Sequence, residues 1–254
     1  MLQWGLSWLE TPRSAAPHHE GLQGKDNKKM PLAGKGMLLT SMNIDEADEA
    51  DFNRWYDREH LEERVAIEGF LEARRYVAHA ANPKYLCLYS TATLDVLDSP
   101  AYRTRLANQT RWSRRTMARF KNMLRVVARI TISNGTGRGA ALGVVRLRPT
   151  PDNAGAWRDA LQEKLAPEPH EGIISMHLLE SEPELSSATV EVPVVRNEGA
   201  RDWFVLIDGT HVGAVSAVIA ERLTGPAAAP FPLPVSVGTY SLMWDLAKSD
   251  IARG

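Results

Sequence analysis

The chain holds a single cysteine, Cys87, among 254 residues. An internal disulfide is therefore excluded. A lone thiol inside the apolar run Tyr85-Leu86-Cys87-Leu88-Tyr89 reads as buried and inert, in keeping with a reducing, cytoplasmic setting. Long hydrophobic runs are also missing: nothing approaches the ~20 apolar residues of a membrane span, and no membrane partner is expected. Neither sign of charge dominates, with 30 Lys and Arg against 31 Asp and Glu, so no global field draws nucleic acid or lipid to the surface. Convergent His, Cys, Asp and Glu at ligand spacing are absent from the sequence, and no metal is expected. The Gly-rich stretch Gly135-Thr136-Gly137-Arg138-Gly139 precedes a strand and lacks the Lys-Ser/Thr ending of a phosphate loop. No Gly-x-Ser-x-Gly elbow occurs, which leaves a serine hydrolase without support.

What is there is a pattern that repeats. Gly36–Ile44 is an apolar run of strand character, and a helical period follows from Asp45. Gly69 ends that helix, Phe70–Ala80 alternates as a strand, Asn82-Pro83 turns the chain, and Lys84–Thr93 is the next strand. Ser99-Pro100 opens a second helix to about Phe120, with Pro in the first turn, and Met123–Ser133 closes the series. After the turn-rich linker Asn134–Gly139 the same order returns: strand Ala140–Arg148, helix to Leu165, strands Gly172–Glu180 and Trp203–Asp208, a helix from Thr210 to Leu223, and strand Val235–Leu246. Gly69 and Gly172 hold the same place in the two series.

Each series is a ferredoxin-like βαββαβ unit. Such a unit covers one sheet face with helices and must bury the other, and a second copy on the same chain is the nearest cover. The fold expected is α+β: tandem ferredoxin-like units at 34–134 and 139–248. Residues 1–33 read as a disordered or misassigned extension, with Met30 just ahead of the first strand as an alternative start.

Chemistry concentrates on the first helix. Phe52, Trp55, Tyr56, Glu59, His60 and Glu63 fall on one face. His60 is the candidate general acid or base, because an imidazole titrates near neutrality. Asp57, Glu59 or Glu63 are candidates to orient it, and Tyr56 to donate to a developing oxyanion. Spacing alone favours a histidine that hydrogen-bonds a neighbour and packs a helix on a sheet, and both readings stand at this point. In the second unit, alignment of Gly69 with Gly172 sets Glu163 opposite His60 and Asp159 opposite Tyr56. One site is therefore expected, with the second unit as a wall. Trp55, Arg74 and His79 are the candidate substrate-binding residues, and Arg75 and Arg125 are further cations for an anionic substrate. His79, His177 and His211 are minor candidates for a haem ligand.

Trp55-Tyr56-Asp57-Arg58-Glu59-His60, followed by Gly69-Phe70, resembles the dimeric α/β-barrel superfamily and, within it, the EthD-like proteins. The resemblance covers 36–133, while the second unit fits by topology alone. It implies that two ferredoxin-like units close into a barrel, here a pseudo-dimeric one within one chain. It also implies that the helix histidine often faces a pocket. Related families include cofactor-free monooxygenases, muconolactone isomerases, polyketide-modifying proteins and haem enzymes, and fold alone does not choose among them.

Residues 101–129 carry nine Arg or Lys and no acid, whereas 45–68 carry ten acids against three Arg. Two helices on one sheet face with opposite charge explain this better than a nucleic-acid surface. The expectation is a small cytoplasmic enzyme without a cofactor, acting on an aromatic or polyketide-like carbonyl compound by proton transfer at His60. The alternative is a non-catalytic small-molecule binder using the same cleft. Further association into a homo-oligomer fits the superfamily.

Overall fold

A computed structural model of the protein describes residues 32–187 and 199–251. All but the last two residues of the expected 1–33 extension lie outside that range. In chain order the first half contains β1 (Gly36–Asn43), α1 (Glu46–Trp55), a π-helical turn (Tyr56–His60), α2 (Leu61–Val65), β2 (Phe70–Ala80), β3 (Tyr85–Thr91), α3 (Pro100–Ala107), α4 (Arg111–Met117) and β4 (Lys121–Gly135). The second half contains β5 (Ala141–Leu147), α5 (Ala154–Lys164), β6 (Ile173–Ser181), α6 (Pro183–Ser186), β7 (Trp203–Gly209), α7 (Val212–Ile219), a second π-helical turn (Ala220–Thr224) and β8 (Ser236–Ala247).

The eight strands close into one antiparallel barrel in the order β1-β3-β2-β8-β5-β7-β6-β4. Read within each half, the order is last strand, first, third, second: β4-β1-β3-β2 and β8-β5-β7-β6. The halves join edge to edge, β2 to β8 and β4 to β6, so no strand edge is left unpaired. The fold is α+β with a closed barrel inside and helices outside.

Strand alternation assigns each side chain to a layer. On β1, Leu38 and Met42 pack under the helices while Met37 and Leu39 point into the barrel. On β3, Tyr85, Cys87 and Tyr89 take the helix side and Leu86 and Leu88 the barrel side. The barrel interior is filled by Leu39, Tyr76, Leu86, Leu88, Val126, Leu179, Phe204 and Leu206. One end is plugged by polar groups. Arg74 crosses the interior to Asp208 at 3.1 Å, and His177 sits between Ser133 and Ser175, each at 2.9 Å. Ser175 donates its proton to the Gly137 carbonyl at 2.6 Å, so it accepts from Nε2 of His177 and Ser133 donates to Nδ1.

Gly69 (φ 84°) and Gly172 (φ 77°) both stand in the left-handed region just ahead of β2 and β6, Gly69 at the close of α2 and Gly172 after a loop that follows α5. A Cβ on Gly69 would meet Val96 at 2.4 Å. Lys248, arriving from the second half, donates to the carbonyls of Val65, Ala66 and Ile67 at 2.6–3.1 Å and satisfies the end of α2.

The long second helix expected over 99–120 is two helices. Asn108 ends α3, and the Thr110 hydroxyl accepts from the Ser113 amide at 2.9 Å to start α4. The opposed charges do face each other: Arg115 meets Asp51 at 3.2 Å, Arg119 meets Asp48 at 3.1 Å, Lys121 meets Asp45 at 2.5 Å and Arg105 meets Glu63 at 3.5 Å. Among the described residues no helix is long and apolar enough to cross a membrane.

Candidate functional site

The site begins with an irregularity in the first helix. At Tyr56–His60 the backbone widens to a π turn, in which the Leu61 amide reaches the Tyr56 carbonyl. One added residue per turn brings position i over i+5. Trp55 and His60 therefore stack, with ring centres 4.1 Å apart and planes 30° from parallel. The spacing of a regular helix would have paired His60 with Tyr56. Tyr56 instead meets the imidazole edge-on at 5.1 Å, and Tyr89 from β3 does so at 6.4 Å.

Glu59 fixes the indole rather than the imidazole. It accepts from Thr110 (2.6 Å), Ser113 (3.0 Å) and the Trp55 Nε1–H (3.2 Å), and Trp55 also donates to Ser113 at 3.1 Å. This network ties α4 to the π turn and holds the plane on which His60 rests. Asp57 lies on another flank, accepting from Arg75 and from Trp244 at 3.0 Å each. Arg75 is fully buried, donates to Asn53 at 2.5 Å and lies over the Tyr56 ring at 4.3 Å. Arg74 belongs to the barrel plug, and His79 is exposed near the end of β2. Of the residues singled out from sequence, the structure thus gathers Trp55, Tyr56, Glu59 and His60, and it sets Asp57, Arg74 and His79 apart.

His60 borders a cavity of about 40 Å³ between the helices and the sheet, lined also by Thr40, Tyr56, Arg64, Tyr89, Met117, Phe120, Met123 and Arg125. That volume accommodates a water-sized molecule as the side chains stand. Four polar atoms on its wall are buried with no hydrogen-bond partner among the described residues: Thr40 Oγ1, His60 Nδ1, Arg64 Nη1 and the Tyr89 hydroxyl. Arg125 is anchored from one side, donating to the Leu185 carbonyl at 2.8 Å. Burial, with the charges of Arg64 and Arg75, holds the His60 pKa well below the ordinary imidazole value. The ring is therefore neutral at physiological pH, a base with a free nitrogen. Burial raises the Tyr56 and Tyr89 phenols, so both stay protonated and able to donate. Cys87, beneath them, is pushed up to about 11 by burial and stays a thiol.

Sequence reasoning missed Arg64, Thr40 and Tyr89. Arg64 was within reach of it, standing four residues after His60 on the same face. Tyr89 shares the strand alternation that buries Cys87. Thr40 carries no signal in a run of apolar neighbours. Among the minor histidines, His211 accepts from the Ala214 amide at 3.1 Å as a helix cap, His177 is held in the plug and His79 is exposed. None of them borders the cavity at His60. Among the described residues there is no group of three or more His, Cys, Asp or Glu placed to hold a metal ion.

No family model and no curated protein matches the sequence. Solved structures do match. An anthrone oxidase-like protein aligns over 89% of this chain and 98% of its own, at 12% identity and a TM-score of 0.60. A monooxygenase-like protein of Lactobacillus acidophilus NCFM covers 85% and 97% at 9% identity and a TM-score of 0.53, and a chlorite dismutase-like protein covers 87% and 98% at 13% and 0.53. These likenesses establish the fold, that of the dimeric α/β-barrel proteins with both halves in one chain.

Proposed function

We propose that the chain is a small enzyme that acts on an aromatic or polyketide-like carbonyl compound, with His60 as the proton-transferring group. The observation that carries this is the convergence of Thr40 Oγ1, His60 Nδ1, Arg64 Nη1 and the Tyr89 hydroxyl, all unpartnered, on one cavity. An unsatisfied buried polar group costs about 1–3 kcal/mol, and a bound ligand that supplies the missing bonds removes that cost. Three of the atoms suit one task. A neutral imidazole removes a proton from the carbon next to a carbonyl: the C–H bond breaks, an N–H bond forms on His60, and the electron pair moves to the carbonyl oxygen. Arg64 and Tyr89 are the donors for that oxygen. The step uses no cofactor. Isomerisation, dehydration by loss of a β-hydroxyl and, with dioxygen as co-substrate, oxygenation can start from the resulting enolate, whereas decarboxylation would form the same enolate by loss of CO₂ and leave His60 to return a proton.

The present cavity is smaller than such a substrate, so binding must displace side chains. Met117 and Met123 are the flexible members of its wall. The names of the anthrone oxidase-like and monooxygenase-like neighbours are in keeping with this substrate class.

The test is deuterium wash-in. Small aromatic ketones are incubated with the protein in D₂O, and exchange of the α-hydrogens is followed by NMR. His60→Ala should slow exchange by about 10²–10⁴ with the circular dichroism spectrum unchanged. Equal exchange by the variant would overturn the assignment. Saturable binding without exchange by the wild type would favour the alternative, a small-molecule binder that uses the same cleft.

A further inference from the structure

A second cavity lies at the barrel end opposite the polar plug, with a volume of about 390 Å³. This is roughly within the range of small-molecule sites. Both halves build it: Leu39, Leu86 and Leu124 come from the first, Phe204, Val144 and Tyr240 from the second. It shares only Met123 with the wall of the His60 cavity. The two are otherwise separate, one inside the barrel and one between helices and sheet.

The wall is mixed, with an apolar strip of Leu39, Leu86, Leu124, Val144 and Phe204 among polar groups and one placed cation. Arg146 lines the cavity; its Nε is bound to Asp202, while its Nη2 is buried and has no partner among the described residues. Asp202 is also engaged by Arg148, through Nε at 2.7 Å and Nη2 at 3.0 Å. Nη2 of Arg146 can only donate, so the group it lacks is an acceptor, best a negatively charged oxygen. The rim adds Ser41, Asn82 and Ser236, and Asn122, which is held at φ 51°. A non-glycine residue in that region marks local strain, which tends to persist where neighbouring structure requires it.

We propose that this barrel mouth is a second ligand site, which takes a small aromatic carboxylate. The ring system lies against Phe204, Leu86 and Leu124, and the carboxylate accepts from Arg146 Nη2.

The probe is 2-naphthoate, titrated calorimetrically into the full chain, with 2-naphthamide as the neutral match. Saturable naphthoate binding is expected, with weaker binding of the amide. Arg146→Gln should weaken naphthoate by about tenfold or more and narrow its advantage over the amide. Val144→Phe, which fills the cavity from a partly exposed strand position, should abolish binding of both. His60→Ala should leave the affinity unchanged, and ligand-induced NMR shifts should fall on Phe204 and Tyr240. Melting curves establish that each variant is folded, and if Arg146→Gln does not fold, Val144→Phe decides. Absence of saturable binding, undiminished binding in Val144→Phe, or loss of binding in His60→Ala would each overturn the proposal. The last outcome would move the ligand to the His60 cavity, and the outcome of the deuterium experiment is independent of all three.

Discussion

The two halves of this barrel share a strand order and differ in what they bury under their helices. In the second half the layer is apolar throughout: Trp157, Leu161, Val205, Ile207, Val215, Val218, Ile219 and Leu223. Its buried polar residues on β6 and β7, Ser175, His177 and Asp208, alternate to the barrel side, where they bond to one another and to Arg74. In the first half the same layer holds Arg75, and it holds His60, Arg64 and Tyr89 beside a cavity. Alternation explains the contrast. A polar residue on the barrel side meets polar residues from across the ring, whereas one on the helix side needs a partner from a helix or a ligand. The helices differ accordingly. α1 is interrupted by a π turn that lays His60 on Trp55, while α5 is regular and buries only Trp157 and Leu161. Asp159 and Glu163, the counterparts of Tyr56 and His60, are exposed. One half packs aliphatic and aromatic side chains under its helices, and the other leaves buried polar atoms beside a cavity.

The comparison can be broken at several points. The largest effect expected is the loss of about 10²–10⁴ in proton exchange for His60→Ala, with no comparable loss for His177→Ala if the second half is only a wall. Next, Leu161→Ala in the apolar layer should cost about 2–5 kcal/mol of stability, read from denaturant melts. Under conditions where it is folded it should leave ligand affinity at His60 unchanged. A change in affinity larger than the stability loss explains would show that the halves are coupled. Glu59→Gln should lower exchange by about tenfold through Trp55, with a shift in indole fluorescence, because the carboxylate positions the indole on which His60 rests. Loss as large as that of His60→Ala would place Glu59 in the chemistry itself.

The smallest effect is a slope. Burial holds the pKa of both His60 and His177 below the ordinary value. Below about pH 6.5 the unfolded chain takes up protons that these folded histidines refuse. Stability is therefore present at neutral pH and lost as the pH falls below about 6.5, with a limiting slope of about 1.4 kcal/mol per pH unit for a ring that stays neutral. Chemical denaturation should show stability falling from about pH 6.5 to 5.5, and His60→Gln or His177→Gln should each reduce the fall, His60→Gln by more. A slope untouched by either substitution would mean that neither ring is held neutral.

The fold was legible because its signals are periodic and local. Alternation in Phe70–Ala80 and positive-φ glycines at 69 and 172 report on strands and helix ends without help from distant residues. The break between α3 and α4 was less legible, since Thr110 both caps a helix and bonds to Glu59 on another, and only the second bond is long-range. The candidate site was half legible. Trp55, Tyr56 and His60 announce themselves as a group on one helix. Their arrangement does not, because a π turn shifts every later residue by one position and exchanges an expected Tyr56–His60 pairing for a Trp55–His60 stack. Asp57 and Glu59 were expected beside His60 for their sequence proximity. The positions of Arg75, Trp244 and Thr110, all remote in sequence, decide instead where those carboxylates bind.

The proposed chemistry rests on His60 being a neutral imidazole whose Nδ1 is unpartnered. NMR titration of the imidazole nitrogens, with and without a small aromatic ketone, tests it most directly. His60 should stay neutral at pH 6, where an ordinary histidine is largely protonated, and the ketone should shift His60 and not His177. A His60 ring that titrates near the ordinary value and ignores the ketone would contradict it.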